Sequence, residues 1–333
     1  MVTISLSQKS TNFQCSNNNS IVEEINGLIR VHKDGNVERP PIVPHVSCMV
    51  PLELNVIARD VMINKFTNLW ARLYAPSIRQ FSSKLSLLVY FHGGGFCVGS
   101  ASWACYHEFL THVARVACCV VVSINYRLAP ENRLPTAYDD GVNAITWLKQ
   151  EASKGTIDEL KWCDFSNLYL AGDSAGGNIS YHVASRLVSM HFLSPKGIIL
   201  IQPFFGGETR TSSEKHSVQP IHSALTLPAS DTYWRLALPL GHKRDHPFCN
   251  PLAKGAPKPS DMRNIKTMIC VAELDILKDK NLELGHVLVS VGARVQSVIH
   301  KDVGHAFHVL QNYPMARTRI NEMINQLKAF INQ

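Results

Sequence analysis

Residues 171–178 read AGDSAGGN, directly after the apolar run Leu168-Tyr169-Leu170. Within it, Gly172-Asp173-Ser174-Ala175-Gly176 fits Gly-x-Ser-x-Gly. A strand is predicted before the motif and a helix, from Gly177 to about Met190, after it. A serine on a sharp strand-to-helix turn is presented as a nucleophile, and glycines two residues away leave room for the turn. The helix N-terminus beneath it favours developing negative charge. The plain alternative is a glycine-rich turn with a capping serine. A second stretch argues against that alternative. His92-Gly93-Gly94-Gly95-Phe96 ends an earlier apolar run. Consecutive glycines leave backbone N–H groups unscreened, and a tetrahedral oxyanion needs two or three such donors. Gly94, Gly95 and Ala175 are the expected oxyanion hole, with Gly93 a further candidate.

A serine needs a base, and the base needs an acid to orient it. For an elbow serine the chain order is serine, acid, histidine. After the predicted strand 266–272 comes Glu273-Leu274-Asp275-Ile276-Leu277-Lys278-Asp279. Asp275 lies just past the strand end and is the expected acid. Glu273 and Asp279 are its rivals, and Asp279 is expected to cap the following helix. Among fifteen histidines, His305 follows a glycine after the next strand and precedes a helix. His300 is still on the strand, and His308 falls inside the helix. Ser174, His305 and Asp275 are therefore the expected nucleophile, base and orienting acid of an acyl transfer to water.

These residues require a scaffold of strand ends. Short apolar runs at 86–91, 118–125, 167–171, 197–202, 266–272 and 294–299 suit strands buried on both faces of a parallel sheet. Helical spacing separates them, most clearly over 136–150 and over the terminal stretch holding Ile320, Met323, Ile324, Leu327 and Ile331. The alternation predicts an α/β fold with a mostly parallel, helix-flanked sheet. Residues 22–40 read as a hairpin turning at Asp34-Gly35. Residues 204–258 break the alternation and read as an inserted cap segment, because structureless loops of that length are uncommon. Phe204, Phe205 and Trp234 are candidates either for a pocket wall or for the core.

Composition excludes other classes. No apolar run is long enough to span a membrane. The net charge of +7 comes from scattered lysines and arginines, with no basic stripe of the kind that binds nucleic acid. Nine cysteines at scattered positions, with no Cys-x-x-Cys pair, read as buried reduced thiols in a reducing compartment. Without such a pair no zinc site is expected, and the expected location is the cytoplasm. Residues 1–20 read as a disordered tail, with a transit peptide as the alternative.

Five motifs in order carry a resemblance: HGGGF (92–96), NYRLAPE (125–131), GDSAGGN (172–178), LDILKD (274–279) and GHAFH (304–308). With IRVHKDGNVERPP near the start, they resemble the plant carboxylesterases, the hormone-sensitive-lipase-like branch of the α/β hydrolases. FFGGETRTSSE and YWRLALP suggest the carboxylesterase 17 type. The resemblance spans about 22–331. It implies an α/β-hydrolase domain over 21–333 with a mostly parallel eight-stranded sheet, an N-terminal lid segment over 21–50, and the cap insert at 204–258. It also implies hydrolysis of small carboxylic esters without a cofactor, and carries the triad onto Ser174, Asp275 and His305. Arg127 and Glu131 look suited to internal ion pairs, with a substrate clamp as the alternative for Arg127. Relatives include dehydratases and cyclases of specialised metabolism, and gibberellin receptors that lack the base histidine. Those leave a recruited biosynthetic enzyme or a small-molecule binder as alternatives.

Overall fold

The computed structural model describes residues 20–77, 83–219, 223–310 and 313–333. The expected tail at 1–20 lies outside them except for Ser20. Eight strands form the main sheet: β4 (Val56–Asn64), β5 (Leu69–Pro76), β6 (Leu85–Phe91), β7 (Val120–Asn125), β8 (Cys163–Asp173), β9 (Gly197–Ile201), β10 (Lys266–Ala272) and β11 (Val295–His300). Their order is β11-β10-β9-β8-β6-β7-β5-β4. All neighbours are parallel except β4 with β5 and β5 with β7. The apolar runs read as strands are these parallel members. The β4–β5 hairpin escaped the reading because the edge strand β4 is half exposed, the buried β5 is interrupted by Arg72, and their turn lacks an Asx-Gly signal.

Helices cover both faces. They are α1 (Ala104–Ala117), α2 (Thr136–Lys154), α3 (Asp158–Lys161), α4 (Ala175–Ser189), α5 (Ser212–His216), α6 (Leu227–Ala237), α7 (Lys278–Ser290), α8 (Phe307–Leu310) and α9 (Pro314–Ile331). The period-two alternation of strands divides the core. Leu87, Val89 and Phe91 of β6 join the α2, α4 and α7 side, with Leu148, Val183 and Leu284. Leu88 and Tyr90 face α1 and α9, with Leu110, Phe109 and Leu327. Among the described cysteines all are free, and Cys97, Cys119, Cys163, Cys249 and Cys270 are buried. No helix among the described residues is long and apolar enough to cross a membrane.

Before the main sheet, β1 (Ile21–Ile25), β2 (Ile29–His32) and β3 (Val37–Glu38) form a small antiparallel sheet. The expected hairpin is β2–β3, and β1 is an added strand. Arg235 of α6 holds Glu23 of β1 through two bonds of 2.8 Å. Arg39 reaches the Cys97 carbonyl at 2.6 Å and the Ala129 carbonyl at 2.9 Å. Within 204–258, Thr211 and Glu214 make a reciprocal capping box at the start of α5. Arg244, nearly buried, pairs with Glu214 and Asp231, and Arg210 pairs with the same two acids. Four charges thus tie α5 to α6.

Candidate active site

Every residue singled out for chemistry follows the C-terminal end of a parallel strand, where crevices of open α/β sheets form. The His92–Phe96 loop follows β6, Ser174 follows β8, Asp275 follows β10 and His305 follows β11.

Ser174 joins β8 directly to α4 with φ 52° and ψ −119°, a strained conformation for a residue with a Cβ. Backbone bonds hold it there, from Ser174 N–H to the Ile201 carbonyl and from Phe204 N–H to the Ser174 carbonyl, both 2.8 Å. The turn is so tight that a Cβ on Gly176 would overlap the Phe91 carbonyl oxygen. Asn178 closes the motif. It donates to the Phe204 and Phe248 carbonyls at 3.0 and 2.8 Å and accepts from Tyr138 Oη at 2.7 Å.

His305 Nε2 lies 2.9 Å from Ser174 Oγ, and its Nδ1 lies 2.7 Å from Asp275 Oδ2. A carboxylate accepts, so Nδ1–H donates to Asp275 and Nε2 is left to accept the serine proton. Asp275 is fully buried, and its other oxygen accepts the Leu277 N–H at 3.0 Å. The rivals are occupied elsewhere. Glu273 accepts the Asp302 N–H at 3.0 Å. Asp279 does not cap its own helix; its backbone N–H, in the first turn of α7, donates instead to Ser213 Oγ at 3.2 Å. Its carboxylate accepts the Ser213 N–H of α5 at 2.7 Å. His300 and His308 are buried. Burial lowers His300 to about 4 and His308 to about 3, keeping both neutral.

Of the four expected amide donors, one is spent. Gly93 N–H donates to Tyr106 Oη at 2.8 Å, so its inclusion in an oxyanion hole is corrected. The amides of Gly94 and Gly95 meet no acceptor among the described residues. Ala175 is the first residue of α4, so its N–H has no carbonyl one turn earlier to donate to. His92 Nδ1–H donates to the Gly93 carbonyl at 2.8 Å, and its ring stacks on Tyr126 with centroids 4.3 Å apart.

Phe204, Phe205 and Trp234 are all but inaccessible, and Phe204 stacks on Trp234 at 4.5 Å between centroids. They are core, with no face left for a ligand. Tyr233 instead presses its ring against Gly95. Arg127 chelates the buried Asp140 through Nε and Nη2, and Glu131 pairs with Arg39. Both are internal ion pairs as expected.

Sequence reasoning missed Gln202. It directly follows β9, with φ 47°, and is fully buried. Its Oε1 accepts the N–H of Ala306, the residue after His305, at 2.7 Å. The one available signal was a polar residue after a continuous apolar strand.

A family model described as alpha/beta hydrolase fold matches residues 88–309. Probable carboxylesterase 6 of Arabidopsis thaliana is 51% identical, over 94% of this chain and 92% of its own length. Tuliposide A-converting enzyme 1, chloroplastic, of Tulipa gesneriana is 34% identical over 87% of this chain and 73% of its own. A solved esterase of Pyrobaculum calidifontis superimposes with a TM-score of 0.69 at 25% identity, covering 82% of this chain and 85% of that one.

Proposed function

From the premise that the chain belongs to the α/β-hydrolase family, and within it to the plant carboxylesterases, we propose that it is a serine carboxylesterase acting on small carboxylic esters through an acyl-enzyme. One observation carries this reading: the hydrogen-bonded line from Ser174 Oγ through His305 to Asp275, at 2.9 and 2.7 Å.

In this reading, Ser174 Oγ attacks the ester carbonyl as His305 Nε2 takes its proton. Asp275 holds the ring and stabilises the imidazolium. The carbonyl oxygen becomes an oxyanion held by the N–H groups of Gly94, Gly95 and Ala175, next to the positive end of α4. His305 returns the proton to the leaving alkoxide, and the acyl group stays on Ser174. Water, deprotonated by His305, then releases the acid and restores the serine. Residues 21–50 and 204–258 form the cap that selects the ester. The Arg235–Glu23 pair and the contact of Tyr233 with Gly95 support that assignment.

Ser174→Ala tests the reading. On short p-nitrophenyl esters its kcat is expected to fall by ~10⁵- to 10⁶-fold with the fold intact. Full activity in that variant rejects a serine mechanism. The likeness to a tuliposide A-converting enzyme supports a second reading, in which the same pocket serves a biosynthetic elimination, dehydration or cyclisation of a plant metabolite. Reaction in isotopically labelled water separates the two. Label in the product acid marks hydrolysis, and its absence marks the second reading.

A further inference from the structure

We propose that Asp173 and Tyr106 are positioning residues for this reaction, holding the oxyanion loop in register with the serine elbow. The inference rests on the esterase reading above and adds what fixes the donor amides in place.

Asp173 fills the first variable position of Gly-x-Ser-x-Gly, as the last residue of β8, and is 2% exposed. A buried carboxylate is costly unless its lone pairs are met. Two phenols from separate elements meet them. Tyr90 Oη of β6 donates to Oδ1 at 2.8 Å, and Tyr106 Oη of α1 donates to Oδ2 at 3.0 Å. His308 Nε2 stands 4.0 Å from Oδ2, beyond hydrogen-bond reach. Burial lifts the Asp173 carboxyl to about 6, while the two phenol bonds pull it down.

Tyr106 extends the line to the loop. Its single proton goes to Asp173, and its oxygen accepts the Gly93 N–H at 2.8 Å. The direction is set, because an ionised carboxylate cannot donate. The network also explains why residue 93 is glycine. A Cβ there would overlap Asp173 Oδ2 and come within 3.0 Å of Tyr106 Oη. Gly93 is therefore small to admit this contact, and its own amide is not bared to substrate.

The consequence reaches Gly94. Both polar groups of Gly93 are now held, the N–H by Tyr106 and the carbonyl by His92 Nδ1–H. A trans peptide unit is planar, with its C=O and N–H pointing opposite ways. The His92 bond to the Gly93 carbonyl thus sets the direction of the Gly94 N–H, and the Tyr106 bond to the Gly93 N–H anchors the peptide before it, so that losing either frees the loop to turn about Gly93. Asp173 directly precedes Ser174, so the same carboxylate ties the donor loop to the nucleophile.

Tyr106→Phe tests this. The ring keeps its packing against Tyr90, His92 and Trp103 and loses only the hydroxyl. On a short p-nitrophenyl ester, kcat is expected to fall about 10- to 100-fold with KM within about three-fold, less than deleting a donor outright. Affinity for a trifluoromethyl ketone, whose serine adduct carries the oxyanion, falls in step with kcat. Asp173→Asn is expected to act through the same line, so the double variant loses no more than the worse single one. If Asp173→Asn fails to fold, Tyr106→Phe alone decides. A Tyr106→Phe enzyme with kcat and ketone affinity within about two-fold of the parent overturns the proposal, as does a loss confined to KM. The parent and Ser174→Ala run alongside. An inactive parent, or an active Ser174→Ala, defeats the esterase reading itself, whereas an active parent with an indifferent Tyr106→Phe defeats only this inference.

Discussion

Gln202 Oε1 accepts the backbone N–H of Ala306 at 2.7 Å, tying the end of β9 to the loop that carries His305. Both residues hold left-handed backbone, φ 47° for Gln202 and φ 57° for Ala306. Strain of this kind persists only where the surroundings over-determine it. Ile201, the preceding residue, accepts the Ser174 N–H. One strand end thus sets the position of both the serine and the histidine.

Gln202→Leu removes that acceptor and leaves the Ala306 N–H unpartnered. Stability is expected to drop by about 1–3 kcal/mol, the cost of an unmet buried donor. Because a misplaced reacting group is costly, kcat should fall by about 10- to 100-fold. Thermal melts and steady-state kinetics on one preparation check both, and an unchanged kcat removes Gln202 from the positioning of His305.

Arg127 is an internal anchor in this fold. Its guanidinium grips Asp140, which also accepts the Arg127 N–H at 2.9 Å. Asp140 is buried while Arg127 is part exposed. Arg127→Leu is therefore expected to cost about 2 kcal/mol, short of the value for a fully buried pair, because solvent screens the arginine. KM for small esters should stay put. A KM that rises without loss of stability would restore the substrate-clamp role.

Acid should destabilise the fold. Burial lowers His92 to about 4 and both His182 and His308 to about 3, from an unfolded value of 6.5. A folded pKa below the unfolded one leaves stability whole above about 6.5 and drains it as the pH falls. Near pH 5 each of these histidines costs about 2 kcal/mol, roughly 6 together. Asp173 opposes them. Its carboxyl is raised from 3.8 to about 6, so the folded state takes up that proton first and gains only about 1 kcal/mol near pH 5. The urea midpoint is therefore expected to fall between about pH 7.5 and 5, and a flat midpoint would contradict the buried neutral histidines.

The parallel strands were legible because strands buried on both faces are continuous apolar runs. Ser174, Asp275 and His305 were legible as candidates because each sits a short step beyond such a run. The supporting contacts were not. Tyr106 meets Asp173 across 67 residues, and Gln202 meets Ala306 across 104. No local pattern encodes a partner at that distance. The same limit explains Gly93: three glycines in a row announce bare amides, but only the fold reveals that one of them is taken by a tyrosine. Asp279 looked like a cap by its place in its own helix, whereas packing gave its carboxylate to α5.

The most direct measurement is intact-protein mass spectrometry after rapid mixing with p-nitrophenyl acetate and an acid quench, followed by peptide mapping. The account predicts a single transient acetyl adduct, located on Ser174, formed with a burst of nitrophenol and absent from Ser174→Ala. Turnover with no adduct on Ser174, or an adduct on another residue that forms and decays at the catalytic rate, would contradict it.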